Sequence, residues 1–265
     1  MKLGYTFEDI GGTTTGKALQ AKGLTRLWYV SMDNTVRFLV ANLISVLCMV
    51  PAFLGIVYGL YADMAWALLL SGIVSGLLIG PATGCLTDAV LAGLRQESGR
   101  WWERYVRVLK RDGVHCLIPG LVFGLVLAMT ANTLGNLYRT GTLPPLMLVS
   151  ILVEILVCFT AGTYFWPMRM VLDLSMIQCL RNSFLMILMH PLVTLKALAA
   201  QLIYWAIMVI LVPYSTPFLL IFGIWFPTLM AVNIIYDTFN QELKLEERLD
   251  NLFDQRLAER EQEEQ

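Results

Sequence analysis

The chain has 265 residues, of which 57% are hydrophobic and 15% are charged, and its formal net charge is −1. A soluble domain carries about 25% charged residues, so this composition argues against a water-soluble globular protein. The apolar residues are gathered in blocks of about 20, the length that crosses a hydrocarbon core of about 30 Å. We therefore predict an all-α polytopic membrane bundle that has the lipid bilayer as its first partner.

The predicted elements begin with a polar lead over 1–35. It contains no apolar region typical of a cleavable signal, so we predict a cytoplasmic N-terminal segment. A transmembrane domain of about six helices follows over 36–236, with a cytoplasmic helical loop at 85–113. Its predicted spans are 36–61, 64–84, 114–134, 145–168, 193–213 and 217–236. The tail 237–265 holds half of the 20 acidic residues, and we predict an acidic amphipathic cytoplasmic helix there.

The basic residues predict the orientation of the chain. Of the 19 lysines and arginines, all except Arg139 lie in or beside the N-terminal lead, the 85–113 loop, the 169–196 stretch and the tail. Since Lys and Arg are retained on the cytoplasmic side, we predict a multi-pass protein of a bacterial inner membrane with both termini in the cytoplasm. The same rule accounts for the basic residues without a nucleic-acid partner.

The second predicted span carries a stripe of glycines spaced four residues apart, on one helix face. Such a stripe lets another helix approach closely. It could pack against the third span, which has a similar stripe, or form an interface with a partner or a second copy. Gly80-Pro81 is expected to interrupt or kink the span. The stripe consists of Gly72, Gly76, Gly80 and Gly84.

An amphipathic helix is predicted over 100–111, after a short polar turn. Trp101, Trp102 and Tyr105 gather on one side and basic residues on the other. A helix of this kind commonly lies in the headgroup layer, and the alternative is docking onto a partner protein. Just before it, Asp88 is expected to cap a helix or to pair with a nearby arginine, Arg95 or Arg104.

One carboxyl group falls near the middle of a predicted span. Ionisable groups at this depth are costly in lipid, so Glu154 is a candidate for function. Gln201 on the fifth span has a similar depth, and we expect Glu154 to bond to Gln201, Ser150 or Tyr204. Glu154 could be a structural polar group that holds helices together, or part of a proton or substrate path.

The pattern of potential ligands and nucleophiles does not indicate an enzyme. The 5 cysteines are scattered and the 2 histidines are isolated. The sequence has neither the His-Glu-x-x-His pattern of zinc proteases nor the Gly-x-Ser-x-Gly elbow of hydrolases. We predict a non-enzymatic protein with no cofactor or metal.

Three stretches resemble the YesL family of bacterial membrane proteins, whose function is uncharacterised. The first runs from Asn42 to Pro51 with Cys48 between them. The second is Pro81-Ala82-Thr83, followed by the aromatic-basic run Trp101–Lys110. The third is Leu180–Leu192, which contains His190-Pro191.

The resemblance implies a role but no catalytic residues. Members of this family are often encoded beside carbohydrate uptake transporters, which implies an accessory protein of ABC-type sugar import. Its partners would be subunits of such a transporter, and a homo-oligomer is the other possibility. The alternative function is a small transporter or channel that uses Glu154.

Overall fold

A computed structural model describes residues 21–97, 100–142, 145–212 and 214–248, together with 251 and 254. The lead 1–20 and most of the acidic tail lie outside these ranges. The described residues form helices without strands. In chain order these are α1 (Gly23–Asp33), α2 (Thr35–Tyr61), α3 (Ala65–Leu94), α4 (Trp101–Thr140), α5 (Pro145–Val171), α6 (Met176–Met189), α7 (Pro191–Ile210), α8 (Thr216–Ile221) and α9 (Trp225–Leu243).

In the described part of the chain, 5 helices are long and apolar enough to cross a membrane: α2, α3, α4, α5 and α7. The predicted all-α polytopic bundle is confirmed, and the chain is a multi-pass membrane protein. The sixth predicted span, 217–236, is wrong as a single helix. It is divided into α8 and α9 by a turn at Phe222–Ile224.

α3 and α4 form a long antiparallel pair. Gly72 lies against Gly124, Gly76 against Gly120, and Gly80 against Cys116. A step of four residues forward along α3 corresponds to a step of four residues back along α4. The same faces of the two helices therefore stay in contact. α3 continues through Pro81 to Leu94, so the helix is not interrupted there.

α4 is one helix of 40 residues, from Trp101 to Thr140. The separate helix predicted over 100–111 is therefore wrong, since this stretch is the first part of α4. Gly113 lies where the boundary between the predicted loop helix and the third span was expected. A glycine in a helix interior lowers the stability of the helix by only about 1 kcal/mol relative to alanine. Contact with α3 along the pair offsets that cost.

The two ends of the bundle differ in character. We call the end at which α3 leads into α4 the charged end, and the end at which α2 leads into α3 the turn end. A cluster of buried apolar residues lies near the charged end, with members from α1, α2, α3, α4, α5, α6, α7 and α9. Its members include Phe38, Leu91, Tyr105, Met170 and Phe239.

At the turn end, the turn between α2 and α3 contacts the last part of α4. Asp63 takes a left-handed backbone conformation with φ 55° in the turn between α2 and α3. Arg139, near the end of α4, pairs with the carboxylate of Asp63 and also donates to the carbonyl of Leu60. Arg139, the basic residue that lies outside the predicted cytoplasmic segments, therefore has an acidic partner at the turn end.

Candidate functional site

The glycine stripe lies inside the bundle and faces α4. A Cβ atom on Gly76 would lie 2.5 Å from the carbonyl oxygen of Gly120, and one on Gly72 would lie 2.6 Å from that of Gly124. Gly84 is turned partly towards α5, where Met170 Cε would lie 3.1 Å from an added Cβ. All the stripe glycines are buried. The structure therefore uses this face for packing between α3 and α4.

The aromatic residues at the start of α4 have different surroundings. Tyr105 is buried, and its carbonyl lies 3.9 Å from the thiol of Cys85 on α3. Trp101 is half-buried against the apolar cluster. Trp102 is 51% exposed, and its ring stacks on that of Tyr105 with centroids 5.9 Å apart. Only Trp102 of these three presents a large surface to the exterior.

A buried group of charges joins α3 to α4 at the charged end. Arg104 holds Asp88 with a fork of two hydrogen bonds, of 2.7 and 2.8 Å. Arg104 also pairs with Glu97, whose other oxygen lies 2.7 Å from Arg95. Asp88, Arg95 and Glu97 are buried. Of the two arginines expected to pair with Asp88, the structure selects Arg104 as the residue that forms the fork.

A second buried arginine connects α1 to α9. Arg26 donates to Asn233 Oδ1 at 2.6 Å, to the Asn233 carbonyl at 2.7 Å and to Asp237 Oδ1 at 2.7 Å. Its guanidinium carbon lies 5.3 Å from the centroid of the Tyr236 ring. This contact was not predicted from the sequence. The available signal was a single arginine within the apolar stretch Leu24–Ser31.

Glu154 and Gln201 do not meet. Thr130 on α4 donates to Glu154 Oε2 at 2.9 Å, whereas Gln201 donates to Thr163 Oγ1 at 2.8 Å. The expected bonds from Glu154 to Gln201 and Tyr204 are therefore wrong, since Tyr204 donates to the carbonyl of Gly223. The side chain of Ser150 lies outside the described residues. The position of each residue along its helix predicted its depth in the membrane. It did not predict which neighbouring helix the side chain faces.

Asn42 on α2 closes the break between α8 and α9. Its amide nitrogen donates to the carbonyls of Leu219, at 3.2 Å, and Leu220, at 2.9 Å. Its amide oxygen accepts from the backbone N–H of Ile224 at 2.7 Å and lies 3.4 Å from that of Trp225. One side chain therefore satisfies the last carbonyls of one helix and the first N–H groups of the next, which would otherwise lack partners in lipid.

Gly223 makes this close approach possible. A Cβ atom there would lie 2.6 Å from Asn42 Oδ1 and would also collide with the carbonyl of Leu219. On its other side, Tyr204 of α7 donates to the Gly223 carbonyl at 3.0 Å. α2 and α7 thus both hold the turn. In the sequence, Asn42 is marked only by the family resemblance, and hydropathy gives no sign of this role.

The other residues that carry the resemblance lie within helices. Pro51 is half-buried in α2, and Pro81 is half-buried in α3. Ala82 is buried, and the carbonyl of Thr83 accepts a hydrogen bond from Thr87 at 2.8 Å. The Pro-Ala-Thr segment is therefore helical in this chain.

Comparisons with family models, with curated proteins and with solved structures find no match for this chain. Within the ranges that the structure describes, no three or more His, Cys, Asp or Glu side chains are grouped so that they could hold a metal ion. The site therefore has to be interpreted from its own geometry.

Proposed function

We propose that this chain is a non-enzymatic accessory protein of a bacterial inner membrane, which binds a partner membrane protein through the part of the bundle at its charged end. The distribution of basic residues supports placing this end, and both termini, in the cytoplasm. The observation that carries the proposal is the length of α4.

α4 extends well beyond a bilayer. At 1.5 Å per residue, its 40 residues span about 60 Å, whereas the hydrocarbon core is about 30 Å thick. With its apolar part 114–134 in that core, the stretch 101–113 reaches about 20 Å further. A continuous helix that runs along the bundle cannot also lie flat in the headgroup layer. This favours protein docking over the membrane-surface interpretation of Trp101–Lys110.

The outward face of this stretch combines aromatic, aliphatic and charged side chains. A shallow cleft of about 380 Å³ is lined by five residues of this stretch: Trp102, Glu103, Val106, Arg107 and Lys110. Trp and Arg are enriched among the residues that dominate binding energy at interfaces. The opposite face of the helix is fixed by Arg104 and Tyr105, so the cleft is presented on a preorganised surface.

The class of partner comes from the family resemblance. It implies subunits of an ABC-type carbohydrate transporter, and a second copy of this chain is the competing partner. The glycine stripe supports neither partner, because α4 covers it. The cleft beside Trp102 is the surface that we assign to either of them.

A photo-crosslinking amino acid at position 106 tests the proposal in native membranes. We expect the Val106 variant to form an adduct with a membrane transport protein, identified by mass spectrometry. The matched control is position 114 on the same helix, where the exposed Val114 should give lipid adducts. Lipid adducts alone at both positions would contradict protein docking, and an adduct between two copies of the chain would replace the transporter with a homo-oligomer.

Transport by the bundle itself is a second candidate function, favoured by the contact between Thr130 and Glu154. A half-buried carboxyl group that bonds to a neighbouring crossing helix is the arrangement from which proton relays are built. Proteoliposomes with an internal pH dye test this function. Glu154→Gln should abolish proton flux, whereas Glu103→Gln, outside the apolar span, should not. Equal flux in both variants and the unmodified chain would reject a path through Glu154.

A further inference from the structure

α6 is held at one end of the bundle by short connections. It begins after the link Leu172–Ser175 from α5, and His190 alone separates it from α7. His190 Nε2 lies 3.1 Å from Glu242 Oε1 in α9, at the charged end. Both ends of α6 are therefore fixed at the level where α5 leaves the bundle and α7 enters it. With 14 residues, it is also too short to cross a bilayer.

One face of α6 packs onto the bundle. Cys179, Ser183 and Met186 are buried, and Ser183 Oγ lies 3.9 Å from Met168 Sδ on α5. The helix starts with a capping box, in which the side chains of Ser175 and Gln178 each bond to the other's backbone N–H. These contacts fix which side of α6 faces outward.

The outward face of α6 is apolar and unusually open. Ile177 is 79% exposed, Phe184 62% and Leu188 61%, and their spacing places them on one side of the helix. Other large apolar residues widen this face: Leu180, Leu185 and Met189. Arg181 is exposed among them. A helix face that exposes six large apolar side chains marks a contact with lipid or with another protein.

We infer that α6 lies in the plane of the membrane, with its Ile177–Phe184–Leu188 face in the boundary between headgroups and acyl chains and with Arg181 bound to lipid phosphate. Lipid is the occupant because α7, a candidate membrane span, begins one residue after α6 and exposes Leu192 and Leu195 in its first turns. The connections to α5 and α7 are too short for α6 to lie far from the depth at which α5 ends and α7 begins. An arginine stem can lie along apolar surface while its guanidinium reaches the headgroups.

Photo-crosslinking to lipid tests this inference in vesicles of phosphatidylethanolamine and phosphatidylglycerol and in native membranes. A benzophenone amino acid is placed separately at Phe184 and at Leu188, so that one variant serves if the other does not fold. The positive reference is Phe53 on the lipid-exposed side of α2, and the negative reference is the exposed Gln241 on α9. We expect lipid adducts at 184 and 188 comparable with those at 53, and none at 241.

Two results would overturn the inference. One is the absence of lipid adducts at both 184 and 188 in vesicles where 53 forms them. The other is a protein adduct in native membranes that replaces lipid at these positions, which would make the face a protein interface.

The role of Arg181 has its own readout. Choline offsets the phosphate charge in phosphatidylcholine, whereas phosphatidylglycerol presents an uncompensated phosphate. Phosphatidylglycerol should therefore raise the Tm of the unmodified chain relative to phosphatidylcholine, and Arg181→Gln should lose that gain. Arg100→Gln serves as the control, since Arg100 is exposed and pairs with Glu103. An unchanged gain in Arg181→Gln would reject phosphate binding.

Discussion

Arg26 Nη1 lies 2.7 Å from Asp237 Oδ1, across 211 positions of the sequence. This pair joins α1, which precedes the first long apolar helix, to α9. The described N-terminal and C-terminal parts of the chain therefore meet at the same end of the bundle. Together, α8 and α9 lead the chain back to the end where α1 lies.

The proposed orientation predicts a labelling pattern. Thr142→Cys, at the turn end, should react with a membrane-impermeant maleimide added outside intact cells, whereas Gln241→Cys should react only after the membrane is opened. Background labelling of the native Cys179 by the maleimide should be slow. Burial raises the pKa of its thiol and so lowers the thiolate fraction near neutral pH. The reverse pattern would place the charged end outside the cell.

Replacement of Asn42 should destabilise the whole bundle. Asn42→Leu leaves carbonyls of α8 and N–H groups of α9 without partners in an apolar setting, at a cost of about 2 to 4 kcal/mol. The measurement is thermal unfolding in detergent. Ser45→Ala is the matched control, since this buried hydroxyl on the same helix donates only to its own Ala41 carbonyl. Equal Tm values for both variants would mean that the backbone groups at the break between α8 and α9 have other hydrogen-bond partners.

Removal of the Arg104 guanidinium should have a large effect on stability. Arg104→Gln leaves the buried Asp88 and Glu97 without this counter-charge, and breaking a buried pair costs about 3 to 5 kcal/mol. Arg104→Lys should recover only part of the loss because an ammonium cannot form the fork. The exposed Arg100→Gln should leave Tm unchanged. Full rescue by lysine would argue against the fork geometry.

Bulk on the glycine stripe should weaken the fold itself. Gly76→Leu forces α3 and α4 apart, and even Gly76→Ala should cost about 1 to 3 kcal/mol through overpacking. Gly162→Ala is the control, since its added Cβ would lie 3.9 Å from the Trp166 side chain, an ordinary van der Waals contact. Tm and gel filtration distinguish the outcomes. Loss of a complex from a Gly76→Leu chain that keeps its Tm would restore the stripe as a partner interface.

Hydropathy was sufficient to predict most of the crossings. The span 36–61 agrees with α2, Thr35–Tyr61, and the span 145–168 lies within α5, Pro145–Val171. Long apolar blocks have few folding options in lipid, because their backbone groups must bond within the same segment. The class of fold was therefore accessible from composition and block length.

The features that remained hidden depend on contacts between distant residues. The break after α8 is stabilised by Asn42, which is 177 positions from Leu219, and a local window of hydropathy cannot register such a contact. Gly223 was the local sign of the turn. The contact between Thr130 and Glu154 depends on the rotation of α4 and α5 about their axes, and the depth of a residue along its span does not determine that rotation.

The link between Asn42 and the break after α8 sets an order of events during biosynthesis. A ribosome that adds about 5 to 20 residues per second needs roughly 10 to 35 s to make the 177 positions between Asn42 and Leu219. The amide of Asn42 has to wait through that interval for its final partners. α2 therefore gains these hydrogen bonds only after α8 has been made.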